Sequence, residues 1–134
     1  MRAKALRAML PVMAHAKIAT YAEFWPFYLG EHGKPATRWF HFVGTHIGVA
    51  CLAYAAVRGD WHWVLGWPVA SYGFAWVSHF FIEKNRPATF TYPLWSLISD
   101  YRMIGWMWLG RSCSPGAAAP APPLPNDLET RGNG

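Results

Sequence analysis

The sequence predicts an all-α membrane protein in which two apolar helices form a central antiparallel hairpin between flanking amphipathic helices. Three observations favour this fold class. The chain of 134 residues is 53% hydrophobic and only 14% charged, whereas about 25% of residues are charged in typical soluble domains. Two segments, 36–57 and 61–82, approach the length of about 17–25 apolar residues that crosses a bilayer. The nine Trp and six Tyr are typical of membrane–water boundaries.

The first helix is predicted over residues 17–31. Aromatic side chains such as Phe24, Phe27 and Tyr28 recur there at helical spacing. Pro26 either bends this helix or marks its start. Before it, residues 1–16 are predicted to form a basic N-terminal lead.

The two central segments are separated by a short polar turn, Arg58-Gly59-Asp60. The first of them, 36–57, reads as one apolar helix. The second, 61–82, contains no full charge, but Gly66-Trp67-Pro68 interrupts it. Because proline is well tolerated in a first turn, we expect the second helix to begin properly near Pro68.

The remainder of the chain contains a loop, a helix and a tail. Residues 84–93 include two prolines and predict an ordered loop, and residues 94–109 predict an amphipathic helix. The tail 111–134, which contains Cys113, is rich in Pro and Ala and is predicted to be disordered. The helical membrane domain is therefore expected over residues 17–110.

The net charge of +5 fits a membrane surface better than a nucleic acid, because the basic residues form no dense stripe and the middle of the chain is too apolar. Arg58, beside Asp60, flanks one end of the hairpin. Basic residues concentrate at the other end, namely Lys34, Arg38, Lys84 and Arg86. The positive-inside rule places that second end on the cytoplasmic side of a multi-pass protein.

Polar side chains suited to metal binding gather at that same end. His79 and Glu83 are four residues apart, so on a helix they project from one face. His32 and His41 lie at the start of the preceding apolar segment, and an antiparallel hairpin would bring all four groups together. Three imidazoles and a carboxylate suit iron, and zinc would also accept them.

Structural alternatives exist for most of these residues. His32 could interact with the dipole at a helix C-terminus, His41 could be an interfacial histidine, and Glu83 could pair with a neighbouring basic residue. His79 lies inside an apolar helix, where an ionisable group is functional by default. His46 lies about 140° around the helix from His41 and is at best a deeper ligand.

Other charged residues could support such a site. Glu31 and Asp100 could supply a further carboxylate or hold a histidine. Arg38 and Arg86 could bind a substrate carboxylate, although charges at a membrane face explain them equally well.

Several motifs resemble those of the Mpo1-like family over roughly residues 20–110. The first is Phe27-Tyr28-Leu29-Gly30-Glu31-His32, followed by Arg38-x-x-His41-Phe42-Val43-Gly44-Thr45. The second runs from Tyr72 to Phe90 and contains His79-x-x-x-Glu83, and Ser99-Asp100-Tyr101-Arg102-Met103 continues the match.

The resemblance implies an Fe(II)-dependent dioxygenase that shortens 2-hydroxy fatty acids by one carbon. It implies that His32, His41 and His79 hold the iron as catalytic ligands, with Glu83 completing the His-x-x-x-Glu element. The expected partners are a fatty-acid-like lipid, dioxygen and a membrane, with no nucleic acid. The alternatives are a non-catalytic membrane protein with structural histidines and a metal-dependent lipid hydrolase or hydroxylase.

Overall fold

A computed structural model describes residues 17–117, and the regular secondary structure of this part is helical throughout. The prediction of an all-α fold is thus confirmed. The N-terminal lead and the chain beyond residue 117 lie outside the described residues, as do the predictions made for them. The α-helices of residues 17–117 are, in chain order, α1 (Tyr21–Glu31), α2 (Pro35–Arg58), α3 (Gly66–Val77) and α4 (Pro93–Trp108).

Helix α1 begins at Tyr21 rather than at residue 17, because Thr20 and Glu23 form a capping box. The Thr20 hydroxyl accepts from the Glu23 amide at 3.3 Å, and the Glu23 carboxylate accepts from the Thr20 amide at 3.3 Å. This reciprocal pair satisfies amides that have no partner within the helix. Pro26 lies inside α1 and does not mark its start.

Helix α1 packs on α4 through a hydrophobic core that also includes one residue before α4, Ala88, and one after it, Cys113. The core residues are Phe24, Trp25, Tyr28, Leu29, Ala88, Met103 and Cys113. Cys113, which the sequence analysis assigned to the tail, is buried, with its thiol 3.8 Å from the Met103 carbonyl oxygen. This packing fixes the C-terminal end of α1, where His32 lies.

Helices α2 and α3 form a close-packed antiparallel pair. Gly44 faces Ala70 and Phe74, and further along α2 Gly48 faces an earlier part of α3. A Cβ atom added at Gly44 would lie 2.6 Å from the Cβ of Phe74 and 2.9 Å from the Ala70 carbonyl oxygen. Glycine is therefore required for this approach, and small residues four apart are typical of packed membrane helices.

The second apolar segment is less regular than predicted. It consists of a short 3-10 helix at Trp61–Leu65, helix α3 and a π-helical segment at Ser78–Glu83. Within residues 17–117, only α2 is both long and apolar enough to cross a membrane, with 24 residues and a mean hydropathy of 1.5. Residues 17–117 thus contain the helical hairpin, but not a second α-helix of membrane-spanning length.

The π-helical segment turns the chain back across the end of this hairpin. It ends at Lys84, which has a left-handed backbone conformation with φ of 60°. The Asn85 amide donates to the His79 carbonyl oxygen at 3.0 Å. A short 3-10 helix at Ala88–Phe90 then leads into α4. Such π-helical turns occur frequently at functional sites, and this one carries His79.

Candidate metal centre

Three buried histidines from three separate elements meet at one end of the α2–α3 pair. His32 caps the C-terminus of α1, His41 lies in the second turn of α2, and His79 lies in the π-helical segment. Their exposed fractions are 1%, 4% and 2%. The Nε2 atoms are 3.1 Å apart between His32 and His41, 3.3 Å between His41 and His79, and 3.1 Å between His79 and His32.

The other ring nitrogen of each histidine, Nδ1, contacts an oxygen atom. The pairs are His32 with the Tyr28 carbonyl at 2.7 Å, His41 with Asp100 Oδ1 at 3.1 Å, and His79 with Asn85 Oδ1 at 2.8 Å. Carbonyl and carboxylate oxygens accept hydrogen bonds and do not donate them. Each imidazole therefore carries its proton on Nδ1.

The orientation of the Asn85 amide follows from its other contacts. Its Nδ2 donates to the Glu31 carbonyl at 3.1 Å and to Glu31 Oε2 at 2.9 Å. The remaining atom, Oδ1, must then accept from His79. Burial, followed by the nearby Glu83, raises the pKa of Glu31. Glu31 thus supports His79 indirectly, through Asn85, rather than holding a histidine itself.

Tyr28 supports two of the three imidazoles. Its carbonyl accepts from His32, its ring stacks on the His32 ring with centroids 4.0 Å apart, and its hydroxyl donates to Asp100 Oδ1. That same carboxylate oxygen accepts from His41. Burial, followed by the charge of Asp100, raises the pKa of Tyr28 well above its ordinary value, so the hydroxyl keeps its proton and remains a donor.

With Nδ1 donating to an oxygen atom, the Nε2 atom of each neutral ring presents its lone pair toward the other two Nε2 atoms. Burial, followed by the adjacent His41 and His79, lowers the pKa of His32 well below its ordinary value, which favours the neutral imidazole that a metal requires. Separations of 3.1–3.3 Å suit nitrogens that share one first-row ion at about 2.0–2.1 Å. The three histidines fit a metal ion.

The imidazoles border a small cavity of about 10 Å³. A cavity of this size holds roughly one water-sized group. Its other walls are Tyr28, Ala75, Trp76, Pro87, Ala88, Thr89, Ser96 and Asp100. Substrate larger than one such group must therefore extend beyond this cavity or displace part of its wall.

A family model described as 2-hydroxy-palmitic acid dioxygenase Mpo1-like matches residues 18–112. The chain belongs to the Mpo1-like family. The matched region includes α1 to α4, the three clustered histidines and the residues that hold them, so the resemblance noted from the motifs is confirmed. No curated protein and no solved structure matches the chain.

In this Mpo1-like chain, the structure does not place Glu83 with the three histidines, contrary to the prediction. Its carboxylate accepts from the Lys34 backbone amide at 2.6 Å. Lys34 is the N-terminal cap of α2, and no acidic residue lies in the first turn of that helix. Unpaired amides and the positive end of the helix dipole attract a carboxylate to this position, which explains why Glu83 lies there.

The two arginines predicted to bind substrate differ in their surroundings. Arg38 donates from Nη1 to the carbonyls of His32 at 2.8 Å and Gly33 at 2.9 Å. It thereby holds the end of α1 that carries His32. Arg86 is exposed and lies over the Phe90 ring, 5.3 Å from its centroid. Neither arginine borders the cavity described above.

His46 and His62 do not join the cluster. His46 Nδ1 bonds the Phe42 carbonyl at 2.6 Å, and its Nε2 accepts from Trp108 Nε1 at 3.1 Å. This agrees with the expectation that His46 does not share a face with His41. His62 pairs with Asp60 at the opposite end of the hairpin.

The sequence analysis missed the supporting roles of Tyr28 and Asn85. The four-residue spacing from Tyr28 to His32 could have indicated this role. On a helix it places the Tyr28 carbonyl one turn before His32, on the same face. Asn85 follows His79 by six residues, and only the π-helical turn and the left-handed Lys84 bring their side chains together. No regular helical periodicity predicts that contact.

Proposed function

We propose that this chain is an Fe(II)-dependent dioxygenase that acts on 2-hydroxy fatty acids and shortens them by one carbon. The observation that carries the proposal is the convergence of three buried imidazoles whose Nδ1 atoms are held by oxygen partners and whose Nε2 atoms face one point. The family description supplies the substrate class and the use of dioxygen.

His32, His41 and His79 would hold the iron. Bound iron supplies coordination sites for the hydroxy acid and for dioxygen, and it supplies redox chemistry. The protein contributes rigid ligands, because Tyr28, Asp100 and Asn85 fix the ring orientations. It also excludes bulk water from the histidines, since all three are buried.

The proposed reaction balances without a further reductant. A 2-hydroxy acid and one dioxygen give an acid one carbon shorter, one carbon dioxide and one water. The bond between C1 and C2 breaks, C1 leaves as carbon dioxide, and C2 is oxidised from an alcohol to a carboxyl carbon. The substrate loses four electrons and dioxygen gains four.

Arg86 and Arg38 remain the proposed contacts for the substrate carboxylate. Arg86 is the better placed of the two, because it is exposed and directly precedes the cavity wall at Pro87, Ala88 and Thr89. Arg38 already donates to two backbone carbonyls. A guanidinium can bind a carboxylate through two parallel hydrogen bonds.

We further propose a multi-pass membrane protein with the metal centre at the cytoplasmic boundary. Apolar side chains are exposed on both helices of the pair and on the π-helical segment, including Val43, Ile47, Val69, Val77 and Phe81. Burial of these side chains in lipid would remove that surface from water. The alkyl chain of the substrate would then enter from the same leaflet.

This topology is testable with single cysteines introduced at the two ends of the hairpin, in a chain whose free cysteines Cys51 and Cys113 are replaced by alanine. An impermeant thiol reagent applied from the cytoplasmic side should label Lys84→Cys and not Arg58→Cys. The reverse pattern would contradict the orientation. Release of the protein by carbonate washing would contradict membrane insertion.

A zinc-dependent lipid hydrolase is the second candidate, because three histidines with a free coordination position also form a catalytic zinc set. The ligand geometry fits both ions. Oxygen consumption separates the two candidates.

The test begins with anaerobic purification and analysis of the bound metal. An oxygen electrode then measures dioxygen uptake with 2-hydroxyhexadecanoate and, for comparison, with hexadecanoate. We expect about one iron per chain and one dioxygen consumed per pentadecanoate formed from the hydroxy acid, with no uptake for hexadecanoate. Bound zinc with no oxygen uptake would favour the hydrolase. A protein that binds no metal would contradict both candidates.

A further inference from the structure

Ser96 borders the cavity of the metal centre and carries a buried hydroxyl. It lies in the first turns of α4 and is 2% exposed. Its Oγ has no hydrogen-bond partner among residues 17–117. Of the four buried polar side-chain atoms that lack a partner in this part of the chain, only that of Ser96 borders the cavity.

Nearby buried serines have partners. Ser78 donates to the Ala75 carbonyl at 2.7 Å, and Ser99 lies 3.1 Å from the Tyr21 hydroxyl. Burial of a hydroxyl without a hydrogen bond costs free energy, and such groups in native proteins need an explanation. A ligand in the adjoining cavity would satisfy Ser96.

The cavity walls determine which ligand suits this position. Within residues 17–117, no lysine or arginine borders the cavity. The Tyr28 hydroxyl already donates to Asp100, and the Nδ1 atoms of the histidines already donate to their oxygen partners. The side-chain hydroxyls that remain are those of Ser96 and Thr89. A hydrogen bond to a charged oxygen is roughly twice as strong as one between neutral groups.

We propose that Ser96 is a substrate-binding residue whose hydroxyl donates to an oxygen of the 2-hydroxy acid head group at the metal centre. This inference rests on the proposed function. The cavity admits one water-sized group, which matches a single oxygen atom of the head group. The alkyl chain would lie outside this cavity.

The test measures binding rather than turnover. Metal-free protein is reloaded with Co(II), and titration with 2-hydroxyoctanoate is followed by the change in the Co(II) absorption bands. We compare Ser96→Ala with Ser99→Ala, which changes a serine of equal burial on the same helix but outside the cavity. Ser96→Ala should bind Co(II) as the wild type does and bind 2-hydroxyoctanoate about 10–100-fold more weakly. Ser99→Ala should remain within about threefold of the wild type.

Thermal unfolding of the metal-free proteins provides a second measurement. Removal of an unpaired hydroxyl should leave the Tm of Ser96→Ala equal to or above that of the wild type, whereas Ser99→Ala loses its contact with Tyr21 and should have a lower Tm. Unchanged affinity for 2-hydroxyoctanoate in Ser96→Ala overturns the inference, and so does equal weakening in both variants. A wild-type protein that binds Co(II) but consumes no dioxygen with Fe(II) contradicts the dioxygenase while leaving the Ser96 comparison intact.

Discussion

The two ends of the α2–α3 pair each carry a histidine–aspartate contact, and only one of them belongs to a candidate site. His41 lies 3.1 Å from Asp100, with side chains 4% and 14% exposed. His62 lies 2.8 Å from Asp60, with side chains 71% and 46% exposed. The shorter contact is therefore the one exposed to solvent. Exposed ion pairs contribute little to the free energy of unfolding.

The difference lies in what surrounds each pair. Asp60 and His62 are two residues apart, and Asp60 also caps the short 3-10 helix by accepting from the His62 amide at 3.2 Å. His41 and Asp100 come from different helices, and the same carboxylate oxygen also accepts from Tyr28. A histidine thus becomes a candidate metal ligand when separate elements converge on it and fix its ring, rather than through a nearby carboxylate alone.

The largest expected effect is the loss of the metal in His79→Ala. His62→Ala, at the other end of the helix pair, is the control. Removal of one of the three candidate ligands leaves only two imidazoles at the proposed metal centre. We expect metal content, measured on purified protein, to fall from about one ion per chain to below about 0.1. His62→Ala should retain the wild-type content.

Both variants should be compared by circular dichroism to verify that the helices remain. Full iron content and full activity in His79→Ala would refute the metal centre. Loss of metal in His62→Ala with intact helices would remove the distinction between the two ends.

The next comparison is Asp100→Asn against Asp60→Asn. An amide at position 100 keeps an acceptor oxygen for the Tyr28 hydroxyl and His41 Nδ1, but it removes the negative charge that strengthens both hydrogen bonds. Loss of a carboxylate that orients a metal-bound histidine typically costs about 10–100-fold in metal affinity. Competition with a chelator measures this affinity. Equal metal affinities of Asp100→Asn and Asp60→Asn would show that the buried contact between His41 and Asp100 does not affect metal binding.

A smaller effect is expected for Tyr28→Phe. This change removes the hydroxyl that donates to Asp100, but keeps the carbonyl that accepts from His32 and an aromatic ring to stack on it. We expect a loss of about 3–10-fold in metal affinity, less than for Asp100→Asn. Tyr21→Phe is the control, because the Tyr21 hydroxyl contacts Ser99 rather than the site. If Tyr21→Phe lost more metal affinity than Tyr28→Phe, the effect would have to be attributed to packing of α1 rather than to the contact with Asp100.

The helices and their order were predictable because they depend on local patterns. Apolar periodicity located α1, α2 and α4 to within four residues at their ends, and an antiparallel pair brought His32, His41 and His79 to the same end. The second apolar segment was predicted too simply, because the change from a 3-10 helix to an α-helix and then to a π-helix depends on packing against α2. A sequence pattern does not encode that packing.

The polar contacts of the site were less predictable than its histidines. The i,i+4 spacing of His79 and Glu83 assumes an α-helix, whereas both residues lie in the π-helical segment. Lys34 and Glu83 are 49 residues apart in sequence, so their contact depends on the tertiary fold. Asp100 was recognised only as one of two carboxylates that could hold a histidine, since its distance from His41 in sequence gives no pairing signal.

The smallest expected effect, that of Glu83→Gln, separates the sequence prediction from the structure most directly. A glutamine can still accept from the Lys34 amide, but it loses the charge that favours the N-terminus of α2. Metal affinity should change by less than about twofold, because this side chain is not a ligand in the structure, and the free energy of unfolding should fall by about 0.3–1 kcal/mol. Chelator competition and urea unfolding measure the two quantities. Loss of the metal in Glu83→Gln, as expected for His79→Ala, would contradict this. The Glu83 carboxylate would then have to move from Lys34 to the ion when the metal binds. In that case the two ends of the hairpin would differ in a fourth ligand as well as in their histidines.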